Sequence, residues 1–192
     1  MARYLAMVGR HCAGKDTFAD YAEAAYGIPA IRSTAILADA AVARGLLDPA
    51  ERADKAAHQA ATAELQRLGG IPALLDPLIA AARSHPAAVI TRINGREYCD
   101  YYRDHLGDVL VIGIRADPAI RCARALQSGI VHTPEEFEEL ERHPMDAGVG
   151  QLLAEAAIHI VNNSDLPGFY RSINQVLTSL GFTPAPRAAP LR

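Results

Sequence analysis

Short apolar runs recur along the chain, each bounded by charged or turn-forming residues, and this pattern predicts buried strands. Strands are expected at 4–8, 88–93, 109–114 and 158–161, with a shorter fifth near 28–32. The segments between them predict helices at 15–26, 34–44, 49–68, 71–84, 98–105, 118–126, 134–142, 148–156 and 169–180. Because strands and helices alternate, the expected fold class is a three-layer α/β/α fold around a five-stranded parallel sheet.

Two helical blocks are longer than a simple crossover between strands requires. One lies between Ser33 and Ser84, and the other lies between Arg115 and Ala157. In open α/β sheets, ligands bind outside the carboxyl ends of the strands. We therefore expect both blocks to project beyond those ends and to surround a ligand.

The composition favours one domain. The chain has 192 residues, of which 50% are hydrophobic, so one sizeable core can form over 1–182, and the Pro- and Ala-rich 183–192 is expected to be a flexible tail. A net charge of −3 predicts no broad attraction to nucleic acid or to a membrane. The N-terminal residues resemble neither a signal peptide nor a membrane span, and the 3 cysteines are scattered, so a cytoplasmic location is expected.

The stretch MVGRHCAGKDTF, residues 7–18, predicts a phosphate-binding loop between a strand and a helix. Gly9 and Gly14 permit unusual backbone angles, the loop amides point inward, and the helix start adds partial positive charge. Lys15 is expected to reach the β- and γ-phosphates. Lys15 and Lys55 are the only lysines of the chain, and a compact ammonium at this position supports the prediction.

Asp16 stands where such loops usually carry a hydroxyl residue. A carboxylate is a suitable Mg²⁺ ligand and also suits the first turn of a helix, so Asp16 is expected to contact the metal. Thr17 then keeps a hydroxyl within reach of the α-phosphate. For His11 and Cys12 two interpretations are open: the loop amides lower the pKa of the Cys12 thiol, or both side chains merely face outward.

The segment GRHCAGKDT resembles the G-x-x-x-x-G-K-D-T loop of some deoxynucleoside monophosphate kinases and phosphomevalonate kinases. The order of the later segments is similar to that in the P-loop nucleotide kinase group, which includes adenylate-kinase-like and dephospho-coenzyme-A-kinase-like proteins. Those segments are STAILADAAVARG, AELQRLGG, AAVITRINGREYCDYYRD, VLVIGIRADPAIRCARAL and the stretch from TPEEF to NNSD. The resemblance implies an ATP-binding core (1–33, 85–115, 157–182), an acceptor-binding region (34–84) and a lid (116–150).

The resemblance also implies roles for single residues. Arg121 and Arg124, three apart on one helix face, would act with Lys15 on the transferring phosphates. Asn162 and Asn163 lie in a loop that would contact the adenine, or they form a turn before the last helix. The nucleotide-binding residues expected are Gly9, Ala13, Gly14, Lys15, Asp16, Thr17, Asn162 and Asn163.

Some positions depart from the pattern of that group. Thr91 replaces an aspartate near the end of the strand expected at 88–93, so that Arg92 or Arg96 has to supply the arginine found there. A further lid arginine is missing near Gln127 and Ser128, and Ala38 replaces an arginine of the acceptor region. The substrate-binding arginines expected in this chain are Arg32, Arg44, Arg92 and Arg96.

The leading hypothesis is ATP- and Mg²⁺-dependent phosphoryl transfer to a small phosphorylated acceptor, above all a (deoxy)nucleoside monophosphate. The second strand ends near Ser33 and Thr34 and the next ends at Thr91, and no acid there could serve as a base for a hydroxyl acceptor. The alternatives are a nucleotide-binding module without transfer activity and a kinase of dephospho-CoA or of a modified DNA base. Nucleic acid is not the favoured partner, no membrane partner is expected, and the sequence indicates no oligomeric state.

Overall fold

The computed structural model describes residues 4–52, 54–142 and 148–185. Its strands are β1 (Tyr4–Val8), β2 (Ala30–Ile31), β3 (Ala88–Ile90), β4 (Val109–Arg115) and β5 (Ile158–Val161). Its helices are α1 (Lys15–Tyr26), α2 (Ser33–Ala43), α3 (Lys55–Arg83), α4 (Arg96–Leu106), α5 (Pro118–Gln127), α6 (Pro134–Glu141), α7 (Val149–Glu155) and α8 (Leu166–Ser179), with a 3₁₀ turn at Pro49–Glu51. Parts of the predicted core (1–3), lid (143–147) and tail (186–192) lie outside the described residues.

The five described strands form a parallel sheet in the order β2-β3-β1-β4-β5. β1 is central, since Tyr4 pairs with Ala88 of β3 on one side and with Val109 of β4 on the other. All residues of β1 are buried, as expected for a strand that is covered on both faces. The predicted five-stranded parallel sheet is therefore confirmed.

Two apolar clusters cover the two faces of the sheet. Ala6 and Val8 of β1 belong to a cluster with α2, α3, α4 and α7, whereas Leu5 and Met7 belong to a cluster with α1 and α8. Consecutive residues of β1 separate in this way because side chains alternate along a strand. The predicted three-layer α/β/α architecture is confirmed as well.

β3 is shorter than its apolar run predicts. It pairs with β1 and β2 only as far as Ile90, which lies opposite Ala6 and Ile31. Thr91 still donates to the Ile31 carbonyl, from its amide at 3.5 Å and from its hydroxyl at 3.3 Å. The expected extension to residue 93 is wrong because β2 ends at Ile31, and the chain leaves the sheet before α4 begins.

α3 joins two helices that were expected to be separate. It begins at Lys55, where the carboxylate of Asp54 accepts a hydrogen bond from the amide of Ala57 at 2.7 Å. The expected break near 69–70 appears as a kink, because Gly70 has non-helical backbone angles of φ 63 and ψ −153. Within the described ranges no helix is both long and apolar enough to cross a membrane.

Candidate functional site

The loop between β1 and α1 lies at the carboxyl end of the central strand and requires two glycines. A Cβ atom at Gly9 would come within 2.7 Å of the Ile114 carbonyl oxygen. Gly14 has a φ of 112, and a Cβ atom there would lie 2.5 Å from Nδ2 of Asn162. Cys12 also has a positive φ, of 57, in which L residues are rare. The loop therefore packs closely against β4 and the end of β5, and its backbone has the left-handed angles that occur in anion-binding loops.

The start of α1 points its amides into this loop. Gly14 occupies the N-cap position and provides no side-chain cap, so the first-turn amides keep their capacity to bind an anion. Lys15 folds back across the loop, where its Nζ donates to the carbonyls of Gly9 at 2.6 Å and Arg10 at 3.1 Å. The ammonium is thereby held against the loop backbone.

Asn162, directly after β5, ties the far side of the sheet to the loop. Its buried side chain donates from Nδ2 to the Ala13 carbonyl at 2.8 Å. Arg124 of α5 donates to the Asn162 carbonyl at 3.0 Å and its Oδ1 at 3.2 Å, and to the Cys12 carbonyl at 3.4 Å. One network thus joins the loop, α5 and the end of β5.

A first cleft of about 430 Å³ opens on this network. Its lining comprises the loop and helix start (Cys12, Gly14, Lys15, Asp16, Thr17), two residues of α5 and its end (Arg124, Ser128) and the segment after β5 (Asn162, Ser164, Asp165, Leu166, Phe169). Polar groups therefore lie at the loop end of this cleft, and the apolar Leu166 and Phe169 lie beside them. Such a wall suits a phosphorylated ligand that also carries an aromatic ring.

Arg121 lies on the same face of α5 but is buried, with 4% of its surface exposed. Its Nη1 donates to the His11 carbonyl at 3.3 Å and lies 2.7 Å from Oε1 of Glu141 in α6. Its guanidinium also lies over the ring of Phe137, 5.5 Å from the centroid. Arg121 and Arg124 thus both reach the loop, but only Arg124 lines the first cleft.

A second cleft of about 620 Å³ lies on the α2 side of the loop. Asp16, Arg32, Ser33, Thr34, Ala35, Ala38, Arg52 and Thr91 line it. Asp16 is exposed and lines both clefts. The carboxylate at the start of α1 is therefore the point at which the two clefts meet.

The residues present fit Mg²⁺ only as a metal shared with a ligand. Among the described residues there is no group of three or more His, Cys, Asp or Glu side chains that could hold a metal ion by itself. Mg²⁺ is commonly held by one or two carboxylates, with substrate phosphates and water completing its coordination. Asp16 is the residue beside the loop that would supply the carboxylate for such a site.

Of the four arginines predicted to bind substrate, Arg32 lines the second cleft. It is ion-paired there, at 2.5 Å from Asp20 and 3.1 Å from Glu23. Arg44 follows α2 and lies beside Gly69 of α3. Arg96 pairs with Glu155 at 3.0 Å. Neither Arg44 nor Arg96 lines either cleft.

Arg92, the fourth, directs its guanidinium inward instead. Its Nε and Nη2 are buried and have no hydrogen-bond partner in the part of the chain that the structure describes. Thr91, its neighbour, does line the second cleft. The substrate-binding roles of Arg32, Arg44, Arg92 and Arg96 stay predictions.

Sequence reasoning missed Arg52, Ser128 and the segment 164–169 as cleft residues. Arg52 lines the second cleft and forms an ion pair with Asp39, but it stands in a turn with no motif that could have singled it out. The segment 164–169 could have been inferred, since it directly follows a strand end. Asn163, by contrast, is exposed, and its Oδ1 accepts a hydrogen bond from the Asp117 amide at 2.9 Å, which joins the segment after β5 to the start of α5.

The pKa of Cys12 is raised, whereas the interpretation of Cys12 as a reactive thiol requires a lowered pKa. Burial raises the pKa of the thiol above its ordinary value, and the nearby charges of Lys15, Arg121 and Arg124 offset this only in part. The thiolate is the reactive form of cysteine. The direction of this pKa shift therefore does not favour a reactive Cys12 thiolate.

Two curated relatives resemble part of the chain. A UPF0200 protein of Methanopyrus kandleri is 32% identical over 98 residues, and a UPF0200 protein of Methanoculleus marisnigri is 29% identical over 103 residues. These matches cover 48% and 52% of this chain, and the chain spans about half the length of the relatives, at 50% and 56%. No family model matches the chain.

Several solved structures resemble nearly the whole chain. Shikimate kinase from Acinetobacter baumannii in complex with shikimate has a TM-score of 0.57 at 17% identity, covering 95% of this chain and 97% of that one. Dephospho-CoA kinase from Campylobacter jejuni has a TM-score of 0.53 at 16% identity, covering 94% and 98%. The chain therefore has the P-loop kinase fold, as its loop predicts.

Proposed function

We propose that the protein transfers the γ-phosphoryl group of ATP, with Mg²⁺, to a small phosphorylated acceptor, most specifically a (deoxy)nucleoside monophosphate. The observation that carries the proposal is the position of Asp16, which lines both clefts. A donor in the first cleft and an acceptor in the second would meet at this carboxylate. Phosphoryl transfer requires such a junction, because the attacking and leaving oxygens lie roughly in line.

The first cleft is the proposed donor site. The loop amides, Lys15 and the hydroxyl of Thr17 bind the phosphates, and the region of Asn162 and Phe169 receives the base. Lys15 can exchange its contacts with the Gly9 and Arg10 carbonyls for phosphate oxygens, because both carbonyls belong to the loop itself. The P-loop kinase fold of the chain supports this assignment.

The second cleft, to which the predicted acceptor region 34–84 contributes half of the lining residues, is the proposed acceptor site. Asp16 is the one carboxylate among its described lining residues. In the proposed reaction this carboxylate holds the metal and does not act as a base. A phosphate acceptor already carries a nucleophilic oxygen and needs no base, which favours a nucleoside monophosphate over an alcohol.

Catalysis in this proposal consists of positioning and charge stabilisation, without a covalent enzyme intermediate. Lys15 and Arg124 hold the donor phosphates from two sides of the loop. Arg121 positions the loop through the His11 carbonyl and adds positive charge to it. Asp16 is the residue that would hold Mg²⁺, and the metal would supply neutralisation of the phosphate charge.

The ion pairs around the site favour one second candidate, nucleotide binding without transfer. Arg32 and Arg52 of the acceptor cleft face carboxylates, and Arg121 faces Glu141. If these pairs persist with ligands bound, the chain would bind ATP and leave the acceptor phosphate without cations. The missing lid arginine is consistent with this candidate.

Release of ADP against a panel of acceptors tests the proposal. The panel contains the ribo- and deoxyribonucleoside monophosphates, dephospho-CoA and DNA with hydroxymethylated bases, each with ATP and Mg²⁺. We expect ADP release to depend on a nucleoside monophosphate and to be lost in Lys15→Ala. Calorimetric ATP binding without ADP release for any acceptor would instead support the binding module, and release with an alcohol alone would overturn the acceptor assignment.

A further inference from the structure

A third cleft, of about 370 Å³, lies beside the carboxyl end of β4. Three arginines from three elements line it: Arg10 of the loop, Arg115 at the end of β4 and Arg121 of α5. Ala13, Ile114 and Leu153 contribute apolar walls. We call it the arginine cleft.

The arginine cleft is separate from the two clefts of the proposed reaction. None of its described lining residues lines the first or the second cleft. The loop divides them, since Ala13 faces the arginine cleft and Gly14 faces the first cleft. A ligand in the arginine cleft therefore need not compete with a nucleotide.

The charges of the arginine cleft are unbalanced in the described part of the chain. Glu141 lies 2.7 Å from Arg121 and 3.8 Å from Arg10, and it is the carboxylate that these two share. Arg115 donates to a neutral group, the Leu153 carbonyl, at 3.3 Å. Three guanidinium groups against one carboxylate leave an excess of two positive charges.

This excess matches one particular kind of anion. A phosphate monoester carries about −1.5 to −2 charges at pH 7, and guanidinium groups bind phosphate oxygens in paired hydrogen bonds. Arg121 is only 4% exposed, so water screens its charge weakly. The apolar walls leave room for a small organic group attached to the phosphate.

We propose that the arginine cleft is a second anion-binding site, which takes orthophosphate or the phosphate group of a small phosphate ester independently of the nucleotide. Arg10 and Arg115 supply the direct contacts, and Arg121 supplies a buried positive charge already fixed by Glu141. The site requires no transfer chemistry. Anion binding in the arginine cleft therefore does not depend on the proposed kinase activity.

Calorimetric titration with inorganic phosphate tests this site. The protein is first saturated with a non-hydrolysable ATP analogue and Mg²⁺, so that the loop is filled, and ionic strength is held constant with chloride. We expect one phosphate to bind per chain. Arg10→Ala and Arg115→Ala should each weaken that binding about tenfold or more, as loss of a charge-assisted hydrogen bond does.

Arg103→Ala is the matched control, because Arg103 is an exposed arginine that pairs with Asp100 at 3.7 Å, away from the cleft. Equal weakening in Arg103→Ala and Arg115→Ala would reveal general charge attraction and overturn the proposal. Absence of binding at about 10 mM phosphate would overturn it as well. Arg115→Lys should retain part of the affinity, and thermal unfolding of each variant checks that the fold is kept.

A second arm separates the arginine cleft from the loop. In Lys15→Ala the loop is impaired whether or not the chain is a kinase, and phosphate binding to the arginine cleft should persist. If phosphate binding disappears in Lys15→Ala, the phosphate was in the loop and the arginine cleft is not a site. This readout needs neither a nucleotide nor an acceptor, so it remains valid even if the proposed function fails.

Discussion

The two clefts that meet at Asp16 differ in how their cations are held. In the first cleft Arg124 donates to the carbonyls of Cys12 and Asn162, which are neutral groups. In the second cleft Arg32 faces Asp20 and Glu23. The arginine of the first cleft is therefore held by neutral groups, whereas the arginine of the second cleft is paired with carboxylates.

The difference indicates how each cleft recognises a ligand. A network that includes the buried Asn162 side chain fixes the wall of the first cleft, which is the proposed donor site. The ion pairs of Arg32 are at the surface, with 43% of its side chain exposed, and such pairs exchange at little cost. Substitutions in the first cleft should therefore have large effects, and substitutions in the second should have small ones.

The largest effect is expected for Lys15→Ala. Removing the ammonium should lower ATP-dependent turnover by about 10²- to 10³-fold, because the charge acts on phosphates within a preorganised loop. Thermal unfolding should change little, since Lys15 is not part of the apolar core. Arg67→Ala, which removes an exposed arginine paired with Glu64, serves as the control. Turnover within a few-fold of wild type would contradict the loop assignment.

A smaller effect is expected for Asn162→Ala. The change removes the bond to the Ala13 carbonyl and leaves that acceptor unsatisfied, at a cost of about 1–3 kcal/mol in the free energy of unfolding. Nucleotide affinity should fall about tenfold as the loop loosens. Asn163→Ala is the control, because Asn163 is exposed and contacts Asp117 instead. Equal losses in the two variants would show that the network does not prepare the loop.

The smallest effect is expected for Arg32→Ala. Because Arg32 is exposed and already paired, we expect KM for the acceptor to rise only about two- to fivefold, with KM for ATP unchanged. Arg44→Ala, which changes an arginine outside the second cleft, should change neither constant. Steady-state kinetics with each substrate varied in turn measures both. A loss of about 100-fold in Arg32→Ala would mean that its ion pairs break when the acceptor binds.

The architecture and the position of the loop after β1 could be predicted because they depend on local signals. The apolar run at Tyr4–Val8, two glycines at fixed spacing and Lys15 imply a strand, a cradle and a cation within one short segment. In each case the backbone alone determines where the side chain is presented. For Asn162 the sequence predicts an adenine contact or a turn, and its bond to the Ala13 carbonyl was not anticipated.

The residues that line the second cleft could not be predicted as fully. Arg44 and Arg96 were selected by residue type, and their positions depend on packing between α2 and α3 and on the pair with Glu155. Arg52 enters the second cleft from a turn. Contacts of this kind join residues far apart in the chain, and no periodicity or motif in one sequence records them.

Asp16 is the residue on which the account depends most, since it joins the two clefts. A carboxylate beside a polyphosphate repels it unless a divalent cation lies between them. Calorimetric titration of wild type and Asp16→Asn with ATP, each with and without Mg²⁺, tests this most directly. We expect wild type to lose most of its affinity when Mg²⁺ is removed, and Asp16→Asn to bind metal-free ATP better than wild type does. Identical dependence on Mg²⁺ in the two proteins would contradict a metal at Asp16 and leave it as a residue that only favours the start of α1.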